Sequence, residues 1–593
     1  DVDLVRSGRN IGLSVTLFSQ DIAIQNIDSE QIGLAGKVRE INAMPEDTLS
    51  QELAKQSQWE ELMASPRVEC LRRACNIYTY SFYKQFHATD LTSVFDSETE
   101  TFTPFNIPYT RTVYNALQEI KYLDYTAEEM EGLQVLPDSF KQEVNEVAQT
   151  YRFFHWCVEF PEVFADGGGF DVMCGNPPWD KIKVEDKKWF ERNSRIDIVN
   201  AGTTAQRKQA IANLPITNPE LYEAYLLALA KAEAMSRYVR FSDRFPMTAT
   251  GDIDLYPLFA EHCYNCTREA WGLVLPTGIA VNDSNKAFFS KLIDENRLIS
   301  LYDFENKEGL FDIHRMFKFC LLTVGQKQDK PREVSGGFYL TRLDHLLDPT
   351  RIYKLKTTDF KLLNPNTQTC PVFRTSRDAM LTTKIYRRCT VLINDITEKN
   401  PWNVKFARMF DMSNDSYLFR TYSQLINEGA ELKGNRFLLN NQIYVPLYEG
   451  KMIWLYNHHY ADWPTEGERP NTVPTPTLEQ LANPYDTPMP WYWVPQEEVD
   501  NRLIKTDKDG NIIWEWPHKW FIGYRCIARS VDLRTFILSP IPDACGVGNS
   551  ATLLFVERGT MPGALLLGMM SSLVFDYAIR QKVGGINMST FFV

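Results

Sequence analysis

Apolar positions recur at helical spacing across residues 53–63 and 68–82, which predicts two amphipathic helices. Met44-Pro45-Glu46-Asp47 punctuates a helix start ahead of them, and residues 31–149 read as mostly helical, with 96–112 as a loop or short strands. From Phe170 the period shortens. Phe170-Asp171-Val172-Met173-Cys174 reads as a short buried strand that stops at Gly175-Asn176-Pro177-Pro178-Trp179. Helices are predicted over 221–237, 255–266 and 285–295, alternating with strands at 272–276, 299–303 and 318–324. Strands alternating with helices imply a mostly parallel α/β sheet, whose ligands sit at the carboxyl ends of its strands.

After about Lys330 the alternation fades and aromatics crowd in, with Trp454, Tyr456, Tyr460, Trp463, Trp491, Trp493, Trp514, Trp516 and Trp520 around a proline-rich stretch at 464–495. This region reads as a separate, irregular domain rather than a continuation of the sheet. The apolar run 563–573 is followed at once by Asp576, Arg580 and Lys582, so it reads as a buried helix closed by Gly584-Gly585, not a membrane span. Three regions result: a mostly helical segment at 1–150, an α/β domain at 151–330 and a mixed α+β domain at 331–593.

Composition narrows the function classes. With 593 residues, 44% of them hydrophobic and 13% aromatic, the chain has material for several cores and lacks the signature of disorder. A net charge of −13 argues against indiscriminate coating of nucleic acid, which needs clustered cations. Local basic groups do occur at Lys181, Lys183, Lys187, Lys188, Arg192 and Arg195, and again at Arg525, Arg529 and Arg534. Eleven scattered cysteines suit a reduced, cytoplasmic protein. His262-Cys263-Tyr264-Asn265-Cys266 lacks the second pair that a zinc ribbon or finger requires, so no metal is expected. There is no P-loop, no nucleophile elbow and no nuclease carboxylate cluster in the pattern. Cys174 precedes the turn instead of following a proline, which argues against covalent attack on cytosine.

The sharpest chemical signal is Asn176-Pro177-Pro178-Trp179 placed directly after a strand. An exocyclic amine on a heterocycle is a poor nucleophile because its lone pair is delocalised into the ring. Two acceptors around its protons, the Asn176 side-chain oxygen and the Pro177 carbonyl, favour a tetrahedral nitrogen with an available lone pair. The prolines fix φ and hold the carbonyls rigidly. Trp179 offers a face on which a base can stack.

These residues resemble the signature of the gamma-type amino-methyltransferases, Asn/Asp-Pro-Pro followed by an aromatic residue. More narrowly, the chain resembles the large adenine methylases of type IIG restriction–modification enzymes and of the BREX and DISARM phage-defence systems. Phe160-Pro161-Glu162-Val163-Phe164, Gly272-Leu273-Val274-Leu275-Pro276, Phe304-Glu305-Asn306 through Phe311 to Phe319, 446–453 and 580–585 carry the same resemblance. It implies a Rossmann-like methyltransferase sheet with a helical insertion and a separate target-recognition domain. It also implies transfer of a methyl group from S-adenosylmethionine to adenine N6 of double-stranded DNA after base flipping. Asn176, Pro177, Pro178, Trp179 and Phe311 would be the catalytic residues, Asp171 would face the cofactor, and Lys451, Arg525, Arg529, Arg534 and Lys582 would meet DNA. Other defence-system subunits or fused nuclease and helicase domains would be partners. The glycine-rich cofactor loop of such enzymes is not found: Gly167-Gly168-Gly169 precedes a strand instead of following one, and Gly546-Val547-Gly548 lies in the other domain. The first strands of the sheet are therefore expected before Asp1. Two rivals stay open: a non-catalytic DNA- or partner-binding subunit, and a methyltransferase of protein glutamine or RNA guanine.

Overall fold

The computed structural model describes residues 33–83, 138–165, 168–201, 203–529, 531–583, 587–588, 590 and 593. The expected loop at 96–112 and the closing Gly584-Gly585 pair lie outside them. The chain forms two compact units, one of Asp1–Pro276 with Leu321–Gln326 and the other of Thr277–Cys320 with Lys327–Val593.

In the first unit, Leu49–Met63 (α1) starts at Thr48, whose hydroxyl accepts from the Gln51 amide while the Gln51 side chain accepts from the Thr48 amide. This reciprocal pair satisfies two of the donors that a helix start leaves free. The helix thus begins four residues beyond Pro45. Pro66–Tyr83 (α2) and Asp138–Tyr151 (α3) share a core of Ala74, Ile77, Tyr80 and Val144. Pro219–Phe241 (α4) opens on an Asn218 cap with proline at its first position, and Tyr78 of α2 donates to the Ser242 carbonyl at its far end. Leu255–Cys266 (α5) leads straight into Thr267–Pro276 (β2), which runs parallel to Phe170–Gly175 (β1).

One expectation needs correcting here. β1 is largely exposed rather than buried, with Val172 at 62% of its free surface. Among the described residues β1 pairs on one side only, with β2, so its outer edge and much of its face meet solvent.

In the second unit, Leu298–Glu305 (β3) is followed by Lys318–Val324 (β4), which passes into the first unit after Cys320. β3 pairs in parallel with Glu333–Leu340 (β5), and β5 pairs antiparallel with Tyr353–Lys356 (β6). Strand pairing thus continues beyond Lys330, where the pattern of the sequence suggested it would cease. Lys286–Asp294 (α6) buries Phe288, Phe289, Leu292 and Ile293 on one stripe.

The remainder is β-rich. Val404–Ala407 (β7) belongs to a four-stranded antiparallel sheet with Trp520–Arg525, Leu538–Pro542 and Ala551–Val556. A second sheet is built from Arg420–Thr421, Glu431–Lys433, Arg436–Leu439, Gln442–Tyr448 and Tyr492–Pro495. Phe410, Leu447, Met452, Trp463, Val494, Phe521 and Leu553 join strands of both sheets in one core. The aromatic wealth of the region is thus mainly packing. The apolar run at 563–573 is two helices, not one: Thr560–Met570 (α7) ends at Ser571, and Ser572 caps Leu573–Arg580 (α8). Nor is the run wholly buried, since Leu565 and Leu573 are exposed at 57% and 73%. No single described helix is long and apolar enough to cross a membrane; α7 and α8 pass that test together, but bent by 63°.

Candidate active site

The turn Asn176-Pro177-Pro178-Trp179 leaves β1 at its carboxyl end, where Cys174 lies opposite Gly272 and Gly175 opposite Leu273 in the parallel ladder. Both ends of the turn are fixed. On the upstream side the β1–β2 ladder holds Gly175. On the downstream side the Asp180 carbonyl accepts from the Leu255 amide at 2.9 Å, and the Ile182 amide donates to the Ile253 carbonyl at 2.9 Å. Lys181 and Lys183 both reach Asp252, at 3.3 and 2.8 Å, and Lys183 and Lys181 together hold that carboxyl below the ordinary range. Two of the six cations of the upstream basic cluster therefore have local partners. So has Lys188 with Glu185 and Arg195 with Asp197.

Within the turn, Trp179 is half-buried and its indole N–H points at the Val274 carbonyl of β2 at 3.4 Å. One edge of the ring is tethered while part of its surface stays open. Asn176 and Pro178 are exposed, Pro177 is half-buried, and no hydrogen bond engages the Asn176 carboxamide among the described residues. A β-carbon added at Gly175 would meet nothing within 4 Å, so the space beside the turn is open. The arrangement is a rigid corner presenting a free carboxamide oxygen and a carbonyl next to a tethered indole.

In the second unit the segment after β3 forms a clamped loop. Asn306 is fully buried; its Nδ2 donates to the carbonyls of Phe311 and Ile313, both at 3.0 Å, and its Oδ1 accepts from the Phe311 amide at 3.0 Å. Phe311 meets Phe319 edge-on at 4.8 Å, Phe319 stacks on buried Phe304, and Phe311 remains 38% exposed. Its ring is thus anchored on one edge and available on the other. Asp303, just before this loop, accepts from the Thr277 hydroxyl and from the Tyr339 amide at 3.1 Å. Burial raises the Asp303 carboxyl above the ordinary range, and the two donors only partly offset it. Sequence reasoning missed both Asn306 and Asp303 as organisers. Asn306 falls within the stretch from Phe304 to Phe319 that carries the resemblance, yet an asparagine in a loop gives no sign of what it clamps.

Asp171 is exposed on β1. The residues expected to meet DNA divide by their surroundings. Arg525 packs its guanidinium over Trp454 and Tyr460, at 4.9 and 5.4 Å, and donates to the Ile453 carbonyl at 2.8 Å. Burial lowers its pKa. Arg534 donates to the Ser571 carbonyl and lies 3.5 Å from buried Asp576. Both guanidiniums brace the unit from within. Arg529 stands out in solvent beside Asp532, Lys451 reaches the Asn471 carbonyl at 2.6 Å from an exposed position, and Lys582 covers the Tyr386 ring.

A donor such as S-adenosylmethionine needs a backbone cradle, usually a glycine-rich turn after a strand. Gly168 and Gly169 do not provide one: added β-carbons would lie 2.3 Å from the Val163 carbonyl oxygen and 2.7 Å from that of Cys266. They are glycines because backbone passes against backbone where β1 begins. A β-carbon on Gly546 would collide with Val494 at 2.8 Å. None of these three glycines has the open space beside it that such a cradle needs.

Comparison with curated proteins finds no match in sequence. Among solved structures, the type IIG restriction endonuclease BpuSI aligns over 99% of this chain and 68% of its own, at 12% identity and a TM-score of 0.26. The type IIL restriction–modification enzyme MmeI in complex with DNA aligns over 96% and 83%, at 11% identity and a TM-score of 0.28. A type I restriction–modification methyltransferase subunit from Streptococcus thermophilus covers 62% of this chain with 96% of its own, at 10% identity and a TM-score of 0.19. Likeness this faint leaves the reading to the sequence family. Residues 40–213, the stretch that contains the Asn-Pro-Pro-Trp corner, match the Eco57I restriction-modification methylase family, and that match supports a DNA methyltransferase.

Proposed function

We propose that the chain is the adenine-binding and target-recognising part of a site-specific DNA adenine-N6 methyltransferase of the restriction–modification kind. One observation carries this: within the family-matched stretch, the Asn176 carboxamide stands exposed and unengaged on a turn pinned at both ends, beside a tethered Trp179. The Asn176 oxygen and the Pro177 carbonyl would accept the two protons of the adenine amine, localising its lone pair. Because the backbone that carries both acceptors is pinned on either side, the chain need not rearrange when charge develops on the nitrogen. Trp179 stacks on the base, worth roughly 1–3 kcal/mol. A base within a duplex cannot reach this corner and must leave the stack. Phe311, its ring held half-exposed by Asn306, is proposed as a further residue on which methyl transfer depends.

S-adenosylmethionine is the methyl donor this reading implies, and it supplies the electrophilic methyl group. Asp171, exposed on β1, is proposed to face it. For recognition, residues 331–593 are proposed to read the neighbouring bases. Arg529, Lys451 and Lys582 are the candidates for contact with DNA, while Arg525 and Arg534 brace the surface that carries them. The full-length protein should transfer labelled methyl groups from S-adenosylmethionine to duplex DNA, with the label recovered as N6-methyladenine. Label recovered on glutamine of a protein or on guanine of RNA would replace the reading with one of its rivals.

A further inference from the structure

We infer a divalent transition-metal site in the second unit, formed by His459, Asp462 and Asp486. Each contributes one ligand atom, and those atoms lie within 4.8 Å of one another. The three come from the long connection at 449–491, and the backbone around them is already tied. The Asp462 amide donates to the Pro474 carbonyl at 3.0 Å, the Trp463 amide to the Met489 carbonyl at 2.8 Å, and the Met489 amide to Asp462 Oδ1 at 2.8 Å. The His459 amide is held by Asn457 Oδ1 at 2.8 Å. Side-chain exposure is 12% for His459 and 23% for Asp462, so the ligands face inward.

A second, independent observation points to a cation. Asp486 Oδ2 is fully sequestered, yet no hydrogen-bond donor meets it among the described residues, and no cation is paired with Asp486 there. A buried carboxylate oxygen without a partner is costly, and such atoms call for an explanation. Two cations of this connection are committed elsewhere: Arg469 to Glu449, and Lys451 to the Asn471 carbonyl. The His459 imidazole contacts both oxygens of Asp462, at 3.0 and 2.9 Å, and leaves Asp486 unserved.

A doubly charged ion bound by a neutral imidazole and two carboxylates gives a charge-neutral site. It would satisfy Asp486 and replace the proton shared between His459 and Asp462. One nitrogen and two oxygens, with no thiolate, suit zinc or manganese over soft copper(I), and the imidazole disfavours magnesium and calcium. Ligand atoms around zinc sit roughly 3.4 Å apart, from bond lengths of about 2.1 Å, so the widest pair needs to close by at most about 1.4 Å while the His459–Asp462 pair opens slightly. Three protein ligands leave a fourth position for water. The site would tie the 459–463 segment to residue 486 and hold firm the connection that carries Lys451.

The test uses the full chain, stripped by a chelator and titrated with zinc chloride by calorimetry, with thermal unfolding followed in parallel. One equivalent should bind and raise the Tm. Asp486→Asn, which keeps size and fold, should weaken binding more than about tenfold and abolish the Tm rise, since it removes one of three ligands. Because eleven cysteines offer rival sites, cobalt(II) should be substituted for zinc. Visible d–d bands without a thiolate charge-transfer band are expected in the wild type and not in His459→Gln. Equal zinc affinity in wild type and Asp486→Asn, or cobalt spectra dominated by thiolate, would overturn the assignment.

Discussion

Asn306 holds Phe311 by both its amide and its carbonyl, with two hydrogen bonds of 3.0 Å from a side chain that sees no solvent. A third bond, to the Ile313 carbonyl, closes the loop beyond it. A flexible loop would let the Phe311 ring collapse onto Phe319. With the backbone held, one face of the ring stays outward.

Asn306→Ala removes three hydrogen bonds and leaves buried backbone groups unpaired, at a cost of about 1–3 kcal/mol for each group left unsatisfied. Thermal unfolding should show a clear loss of stability. Phe311→Ala, by contrast, should barely lower the Tm but should reduce methylation. If Phe311→Ala is as destabilising as Asn306→Ala and leaves turnover per folded molecule intact, the ring is packing and nothing more.

His155 gives the first unit a pH dependence. Its ring is buried, 2.8 Å from Asn76 Oδ1, and burial first, then Arg244 and Arg72, push its pKa down to about 4 from the usual 6.5. The folded state therefore binds fewer protons than the unfolded state between these values. The stabilisation is complete above about pH 6.5 and is lost as pH falls toward 4, by on the order of 3 kcal/mol. His155→Gln can still donate to Asn76 and does not titrate, so its unfolding free energy should be flatter over that interval. Parallel curves for both proteins would place the acid sensitivity elsewhere.

Trp179 is tethered through its N–H to Val274 and is only half-buried. If it stacks on an extruded base, 2-aminopurine at the target position should brighten with the wild type. Trp179→Tyr should keep most of that signal and Trp179→Ala should lose it. Identical signals from the two variants would assign the indole to packing against β2.

How much of the fold is legible in the sequence depends on whether the signal is local. The span Leu255–Cys266 and the strand Lys318–Val324 are legible to the residue, because each is one uninterrupted period. β5 is not, since Gly336-Gly337 in its middle looks like a turn. Those glycines are there because a β-carbon on Gly336 would strike the Tyr353 ring of β6 at 2.7 Å. The break at Ser571-Ser572 is hidden in an apolar run, though serine as a helix cap is the available clue. At the site, the Asn-Pro-Pro-Trp corner is visible as four adjacent residues. The pinning of that corner by Ile253 and Leu255 is not, because those contacts span some seventy residues of sequence. The His459, Asp462 and Asp486 trio is hidden as well, because a proline-rich stretch separates Asp486 from the other two and gives no sign that the chain returns to them.

Sequence choice is proposed to reside in residues 331–593. Arg529, exposed beside Asp532, is the arginine there best placed to reach a base edge. Arg529→Ala should relax preference at one position, by about 1–3 kcal/mol, if it reads a base. If it meets phosphate instead, Arg529→Ala should weaken all sites alike and lower the salt dependence. Methylated positions mapped by sequencing would separate these, and an unchanged profile with unchanged affinity would remove Arg529 from the interface.

In the proposed reaction Asn176 accepts a hydrogen bond from the amine that is methylated. The direct measurement is transfer of tritiated methyl from S-adenosylmethionine to duplex DNA by the full-length protein, comparing wild type with Asn176→Ala. Because Asn176 is exposed and makes no hydrogen bond among the described residues, the variant should unfold at the wild-type temperature. Its rate of N6-methyladenine formation should fall by roughly 10²–10³, the usual loss for one preorganised polar contact. Turnover within a few-fold of wild type, in a folded variant that still binds DNA, would contradict the account.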